Sequence, residues 1–325
     1  MAGRDFLNSN NKIKVVSIVG PTASGKTGLA VKLAKHFDGE IVSADSMQIY
    51  KGMHIATAKP SVSEMDGVKH HLIDFLPCSE TYSVAMFVKD AAKCIKDINF
   101  AHKLPFIVGG TGLYIDSLLK NINFSEENRD EAYSQTLWQI YNEQGVDKLL
   151  EILSEFDIKS FMRLKEGRNA KRIIRAIEFY NTTGSTISDQ IEKSKSESSP
   201  YFPIKIGLNC KNRQILYDRI NTRVDNMLKN GLVDEAKNVI NSNLSYTSVK
   251  AIGYKELLPY FEGNKSLNEC IDKLKMETRR YAKRQITWFK RDSDINWLYI
   301  DEYNSAEELY NAARTIIERG LKIYG

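Results

Sequence analysis

The chain is poor in the residues that staple or metallate a domain. Four cysteines, Cys78, Cys94, Cys210 and Cys270, are scattered over 325 residues with no C-x-x-C pair. That excludes a disulfide framework and points to reduced, structural thiols. The five histidines show no ligand spacing, and the one pair, His70-His71, is adjacent, so its rings point differently on any regular element. A zinc site is therefore not expected. No stretch approaches the roughly 18 apolar residues that cross a bilayer. "MAGRDFLNSNNKIK" has neither the apolar centre of a secretory signal nor the Arg-rich pattern of a transit peptide. A cytoplasmic enzyme that does not associate with membrane is the expectation. No internal repeat is visible. Charge of one sign is also scarce: 46 Lys and Arg against 41 Asp and Glu give a net +5, a mild excess that says little unless the cations cluster.

What is present is a chain 42% hydrophobic, enough for one large or two ordinary domains. "IKVVSIV" (13–19) is β-branched and nearly continuous, as in a strand buried on both faces of a parallel sheet. A helix with Leu29, Leu33 and Phe37 on one side follows, then a short apolar strand, "GEIVSADS", ending at Asp45. A helical pattern over about 83–100 leads into "LPFIVGGTGLYIDSLL", a buried strand, a Gly-rich turn and a helix. This alternation predicts an α/β fold with a doubly wound parallel sheet.

From about 121 to 195 only helical spacing is legible, for example Leu149, Ile152, Leu153 and Phe156, and "KSKSESSP" (193–200) reads as a linker or mobile loop. "YFPIKIGLNC" then supplies another strand, and the remainder reads as mostly helical. The expected organisation is a core built from 1–120 and 198–325, the second part ending in helices, with an all-helical subdomain inserted at 121–197.

"GPTASGKT", comprising Gly20, Pro21, Thr22, Ala23, Ser24, Gly25, Lys26 and Thr27, fits G-x-x-x-x-G-K-[ST] between a strand and a helix. Such a loop turns backbone N–H groups inward at a helix N-terminus and so cradles phosphate. Lys26 is expected on phosphate oxygens, and Thr27 on a phosphate or a bound Mg²⁺. The motif leaves the reaction open among phosphoryl transfer, nucleotide hydrolysis and loss of a diphosphate. Asp45 is equally open between a metal ligand and a general base.

Two segments cluster positive charge. Arg168, Lys171, Arg172 and Arg175 follow i, i+3, i+4, i+7 spacing, with Ile173, Ile174 and Ile177 on the other side. In "METRRYAKRQITWFKRD", Arg279 with Lys283 and Arg280 with Arg284 make two i, i+4 rows, interleaved with Tyr281, Trp288 and Phe289. A charge run is usually a solvated face. Two of them with aromatic residues, beside a phosphate loop, favour a polyanion, and RNA suits the mixture because rings stack on unpaired bases while cations hold phosphates. Arg219 and Arg223 lie one turn apart in "LYDRINTRVDNML", where one of them could reach a departing diphosphate or simply pair with Asp218 or Asp225.

Taken together, "GPTASGKT", "SADSMQIYKGM" with "TAKP", "HHLID", "VGGTGLY", "KRIIRAIEFY", "VKAIGYKE" and "YAKRQITWFKR" resemble the tRNA dimethylallyltransferases (tRNA isopentenyltransferases) over residues 15–291. The resemblance implies a P-loop NTPase-like core whose phosphate loop binds dimethylallyl diphosphate, with Mg²⁺ assisting. The dimethylallyl group then passes to the exocyclic N6 of the adenosine 3′ to the anticodon, in tRNAs that read UNN codons. By the same resemblance Asp45 is the general base, and Lys26, Thr27, the loop N–H groups and Arg223 hold the diphosphate. Ser46, Met47, Gln48 and Thr111 contact the flipped nucleotide. The tRNA-contacting segments it implies include Lys171, Arg172, Arg175, Lys250, Gly253, Tyr254, Lys255, Lys283, Arg284, Gln285, Trp288 and Lys290. The inserted region would be the mobile domain over the anticodon stem, and a monomer is implied.

Two departures stand out: His54 and Ala56 replace the family's usual Asp and Gly, and Gly167 replaces a proline. No Cys/His segment follows the last basic stretch, which suits the bacterial form. A prenyltransferase acting on free adenine nucleotides, an RNA-binding P-loop kinase or ATPase, and an RNA chaperone are the competing expectations. The basic segments argue against the first and the phosphate loop against the last.

Overall fold

The computed structural model describes residues 12–122, 130–196, 198–242, 244–245 and 247–322. Its chain divides into two compact units, one of Met1–Leu119 with Pro200–Gly325 and one of Lys120–Ser199.

Among the described residues the first unit is built on six parallel strands. In chain order its first half runs β1 (Ile13–Val19), α1 (Lys26–His36), β2 (Gly39–Ser43), α2 (Val62–Met65), β3 (His70–His71), α3 (Val84–Phe100), β4 (Leu104–Gly109) and α4 (Gly112–Leu119). The second unit contributes α5 (Glu131–Ser154), α6 (Ile158–Leu164), α7 (Ala170–Thr183) and α8 (Ile187–Ser196). The first unit then resumes with β5 (Tyr201–Asn209), α9 (Arg213–Lys229), α10 (Leu232–Ile240), α11 (Leu258–Phe261), α12 (Leu267–Phe289), β6 (Asn296–Tyr299) and α13 (Ala306–Lys322).

The strand order is β3-β2-β4-β1-β5-β6. β1 pairs with β4 (Val16 opposite Phe106) on one side and with β5 (Val16 opposite Ile204) on the other. Alternation along β1 sends Val15 and Val19 into one apolar cluster and Val16 and Ile18 into another. Helices α3, α4 and α12 supply Phe87, Ile115, Leu274 and Phe289 to the first cluster. Helices α1 and α13 supply Leu29, Leu33, Ala313 and Ile317 to the second. Both faces of the sheet are therefore covered, the doubly wound arrangement that strands apolar on both sides require. Each fully buried Leu or Ile of this kind contributes about 1.5–3 kcal/mol of transfer free energy.

Three expectations are corrected. β3 and β6 were not foreseen: two and four residues are too short to show a period, and both lie at sheet edges. Helix α8 continues to Ser196, so "KSKS" is helical and not a linker. Arg168 has φ +44° and precedes the N-cap Asn169, so it is not on the α7 face; it pairs with Asp147 at 2.7 Å instead.

The second unit is all-helical among its described residues. Its own core joins Leu149, Leu153, Ile173, Ile174 and Ile177. Gly145, at φ +80° and ψ −176°, breaks α5 into two pieces. Asp157 caps α6 through the Ser160 N–H (2.9 Å) and receives the Ser188 hydroxyl (2.5 Å).

Candidate active site

The carboxyl ends of β1, β2 and β4 converge, and the segments that leave them form one cleft of about 440 Å³. Chain reversals at these strand ends are where open parallel sheets present ligand sites. β1 delivers the phosphate loop, β2 delivers Asp45 to Gln48, and β4 delivers Gly109 and Gly110. Arg223 and Tyr281 close the cleft from α9 and α12.

The phosphate loop is held in shape from three directions. Gln285, almost fully buried on α12, accepts the Thr22 N–H (2.9 Å) with its carbonyl oxygen and donates to the Gly110 carbonyl (3.0 Å) with its amide. Arg219 Nε donates to the Ala23 carbonyl (2.8 Å). Lys26 Nζ donates to the Pro21 carbonyl (2.6 Å). The turn ends at Gly25, whose φ of +83° lets α1 begin abruptly with no side chain capping its N-terminus. Ser24 Oγ is buried and has no hydrogen-bond partner among the described residues. The loop therefore joins an uncapped helix N-terminus, a lysine and an orphan hydroxyl, donors suited to an anion. The Thr22 N–H already serves Gln285, so not every loop amide faces the cleft.

Electrostatics strengthen this picture. Burial, then the neighbouring Arg223 guanidinium, bring the Lys26 ammonium down from 10.5 to about 7, with Asp45 opposing. Arg223 is also lowered by burial, against the pull of Asp45 and Glu64. Of the two arginines weighed in the sequence, Arg223 lines the cleft and Arg219 braces the loop. Asp225 is paired with Lys275 at 2.6 Å.

Just beyond β2, Asp45 Oδ1 accepts the Met47 N–H (2.9 Å) and, more weakly, that of Gln48 (3.4 Å). This turn sets the direction of the carboxylate. The Ser46 N–H donates to Thr111 Oγ1 (3.1 Å), which ties the ends of β2 and β4 together. The Gln48 amide donates to the Thr57 and Ala58 carbonyls (3.2 and 3.1 Å). Burial, then the charge of Asp45, raise the Tyr281 phenol, which therefore stays protonated beside them.

The remaining motif residues fall into two groups. Lys283 and Arg284 are exposed on α12, Lys290 is exposed at its C-cap, and Lys255 is exposed near α11. Arg284 lines the cleft and lies 5.7 Å from the Tyr281 ring centre. Arg279 is bonded to Asn221 (2.8 Å) and Arg280 to Glu277 (2.7 Å). Lys171, Arg172 and Arg175 are exposed on α7 in the helical unit. Gly253 lines the cleft, whereas the buried Tyr254 directs its hydroxyl to Glu235 (2.9 Å). Trp288 donates to Asp116 (2.9 Å), with its indole against Gly112. The side chain of Lys250 lies outside the described residues.

Sequence reasoning passed over Tyr281, Glu64 and His70, all of which line the cleft. "HHLID" and "TAKP" acquire structural roles: His71 pairs with Glu40 (2.7 Å), Lys59 pairs with Asp74, and His70 turns its ring to the cleft while bonded to the Val68 carbonyl (2.9 Å). Gln285, named among the tRNA-contacting residues, is almost fully buried on α12 and bonds to the phosphate loop and to Gly110.

Comparison with known proteins agrees with this arrangement. The IPP transferase family model matches residues 48–292. The chain is 48% identical over 300 residues to a tRNA dimethylallyltransferase of Caldanaerobacter subterraneus subsp. tengcongensis, covering 91% of this chain and 95% of that one. It resembles the crystal structure of the full-length tRNA isopentenylpyrophosphate transferase of Bacillus halodurans with a TM-score of 0.72 and 42% identity, covering 96% and 97% of the two chains. A eukaryotic dimethylallyltransferase captured acting on tRNA gives a TM-score of 0.76 at 26% identity, covering 94% and 80%.

Proposed function

The chain belongs to the IPP transferase family, and from that premise we infer that it is a tRNA dimethylallyltransferase. It transfers the dimethylallyl group of dimethylallyl diphosphate to N6 of the adenosine 3′ to the anticodon of tRNAs that read UNN codons. The observation that carries this reading is one cleft lined by phosphate-loop residues Thr22, Ala23, Gly25, Lys26 and Thr27, by Arg223 and by the oriented carboxylate of Asp45.

The roles follow from charge. An adenine amine is a weak nucleophile because its lone pair is shared with the ring. As N6 forms its bond to the allylic carbon, Asp45 accepts the N6 proton and the carbon–oxygen bond breaks, its electron pair leaving with the diphosphate. Negative charge grows on that leaving group, where Lys26, Arg223 and the N-terminus of α1 already stand, so they favour the transition state over the ground state. Ser46, Met47, Gln48 and Thr111 hold the flipped base, and the exposed cations of α7 and α12 hold the tRNA backbone.

Thr27 presents a hydroxyl to the cleft that also holds the Asp45 and Glu64 carboxylates, hard oxygen donors that fit Mg²⁺. Among the described residues no group of three His, Cys, Asp or Glu could hold a metal unaided, so Thr27 would hold the ion together with diphosphate oxygens and water. When bound, Mg²⁺ supplies further neutralisation of the leaving group. The protein works as a monomer in the cytoplasm.

The test is transfer of radiolabelled dimethylallyl from its diphosphate to unmodified tRNA, with a tRNA carrying guanosine in place of the target adenosine as control. Label in the first and not the second is expected. Equal labelling of free AMP, or ATP turnover without label in tRNA, would overturn the reading.

A further inference from the structure

Glu235, on α10, makes an arrangement that the site as described does not use. Its Oε2 accepts the N–H groups of His54 (2.8 Å) and Ile55 (2.7 Å), and its Oε1 accepts those of Ala56 (2.9 Å) and the Tyr254 hydroxyl (2.9 Å). Four donors converge on one carboxylate, three of them consecutive backbone amides. Charge-assisted bonds of this kind are about twice as strong as neutral ones.

The captured segment lies against the cleft. It continues into a turn closed by Ala58 N–H to Ile55 O (2.9 Å) and Lys59 N–H to His54 O (2.9 Å). The Thr57 and Ala58 carbonyls of that turn receive both bonds from the Gln48 amide. Ala56, Thr57, Ala58 and Gln48 all line the cleft. The other wall is fitted to this loop. Gly253 has φ +116°, and a Cβ there would stand 2.8 Å from the Ala56 side chain. Only a glycine allows the Tyr254 segment to approach so closely.

We propose that Glu235 is a positioning residue for the acceptor nucleotide: it fixes residues 54–58, and their carbonyls in turn fix the Gln48 amide that faces the adenosine. This rests on the reading of the cleft as a tRNA prenyl-transfer site. It also explains why His54 and Ala56 are tolerated at unusual positions, since the bonds use their backbone and not their side chains. Glu235→Gln cannot satisfy the same four donors, because its amide would confront one pair of them.

The experiment is a double-mutant cycle of Glu235→Gln with Gln48→Ala, reading kcat and KM for tRNA and the affinity for dimethylallyl diphosphate. Glu235→Gln should lower kcat/KM for tRNA by about 10–100-fold, as expected when a reacting base is misplaced. Affinity for the diphosphate should stay within about threefold, and adding Gln48→Ala should cost less than about threefold more because the two act as one unit. Multiplicative losses, or diphosphate affinity falling in step with tRNA use, would overturn the assignment. If Glu235→Gln does not melt cooperatively, Tyr254→Phe, which removes one of the four donors, carries the same cycle under the same criteria. Failure of the wild-type protein to label tRNA would sink the reaction itself and not the role of Glu235.

Discussion

Lys26 is the residue whose chemistry is most exposed to test. Burial and Arg223 hold its ammonium at about 7 in the free protein. A diphosphate placed beside it restores an opposite charge and raises that value. Binding therefore takes up a proton whenever the pH lies above about 7, and affinity follows. It is level below that point and falls above it by up to about tenfold per pH unit until the bound-state value is reached. Calorimetric titration with dimethylallyl diphosphate at roughly pH 8, in buffers of different ionisation enthalpy, should show uptake approaching about one proton. Lys26→Arg, which stays charged, should abolish that uptake. Buffer-independent heats in the wild type would mean that Lys26 is already fully protonated. At this scale the sequence was informative where chemistry is local: the loop, Asp45 and Arg223 meet in one cleft. It was silent where a residue acts through distant backbone, as Glu235 does across 179 positions to Ala56.

At the scale of elements, legibility followed period and length. β1, β4 and β5 announce themselves because six to nine mostly apolar residues have no other stable use. β6, "NWLY", carries too few residues to show a pattern and is fixed by pairing with β5. The polar end of α8 was misread for the opposite reason, since lysine and serine in sequence neither announce nor forbid a helix. Capping chemistry is the better guide to α6 and α8, and it carries a prediction. Burial alone would raise the Asp157 carboxyl, but hydrogen bonds from Ser188 and Ser160 outweigh it and hold it below the usual range. Its contribution to stability is therefore present above the unfolded-state value of about 4 and is lost as pH falls through the lower folded-state value. Asp157→Ala, which leaves buried donors unpaired, should cost about 1–3 kcal/mol at neutral pH. The deficit relative to wild type should shrink in acid. Urea unfolding across pH reads both effects, and a deficit constant down to roughly pH 2 would deny the carboxylate its role.

The whole molecule carries only +5, so its attraction for a polyanion has to come from where the cations stand. Lys283 and Arg284 are exposed on α12 of the sheet-containing unit, and Lys171 and Arg172 are exposed on α7 of the helical unit. If each of these side chains neutralises one phosphate of the same tRNA, each removal lowers the slope of log affinity against log salt by about one. Lys283→Ala with Arg284→Ala should then reduce the slope by about two, and the further pair Lys171→Ala with Arg172→Ala by about two more. Affinity for dimethylallyl diphosphate should stay within about threefold in Lys283→Ala alone and in Lys171→Ala with Arg172→Ala, because backbone contacts that position a nucleic acid are separable from the chemistry of the cleft, which of these four residues only Arg284 lines. Filter binding of unmodified tRNA over a salt series measures the slopes directly. A slope that moves for one helix and not for the other would reduce the second basic face to a solvated surface and leave the tRNA held by a single unit.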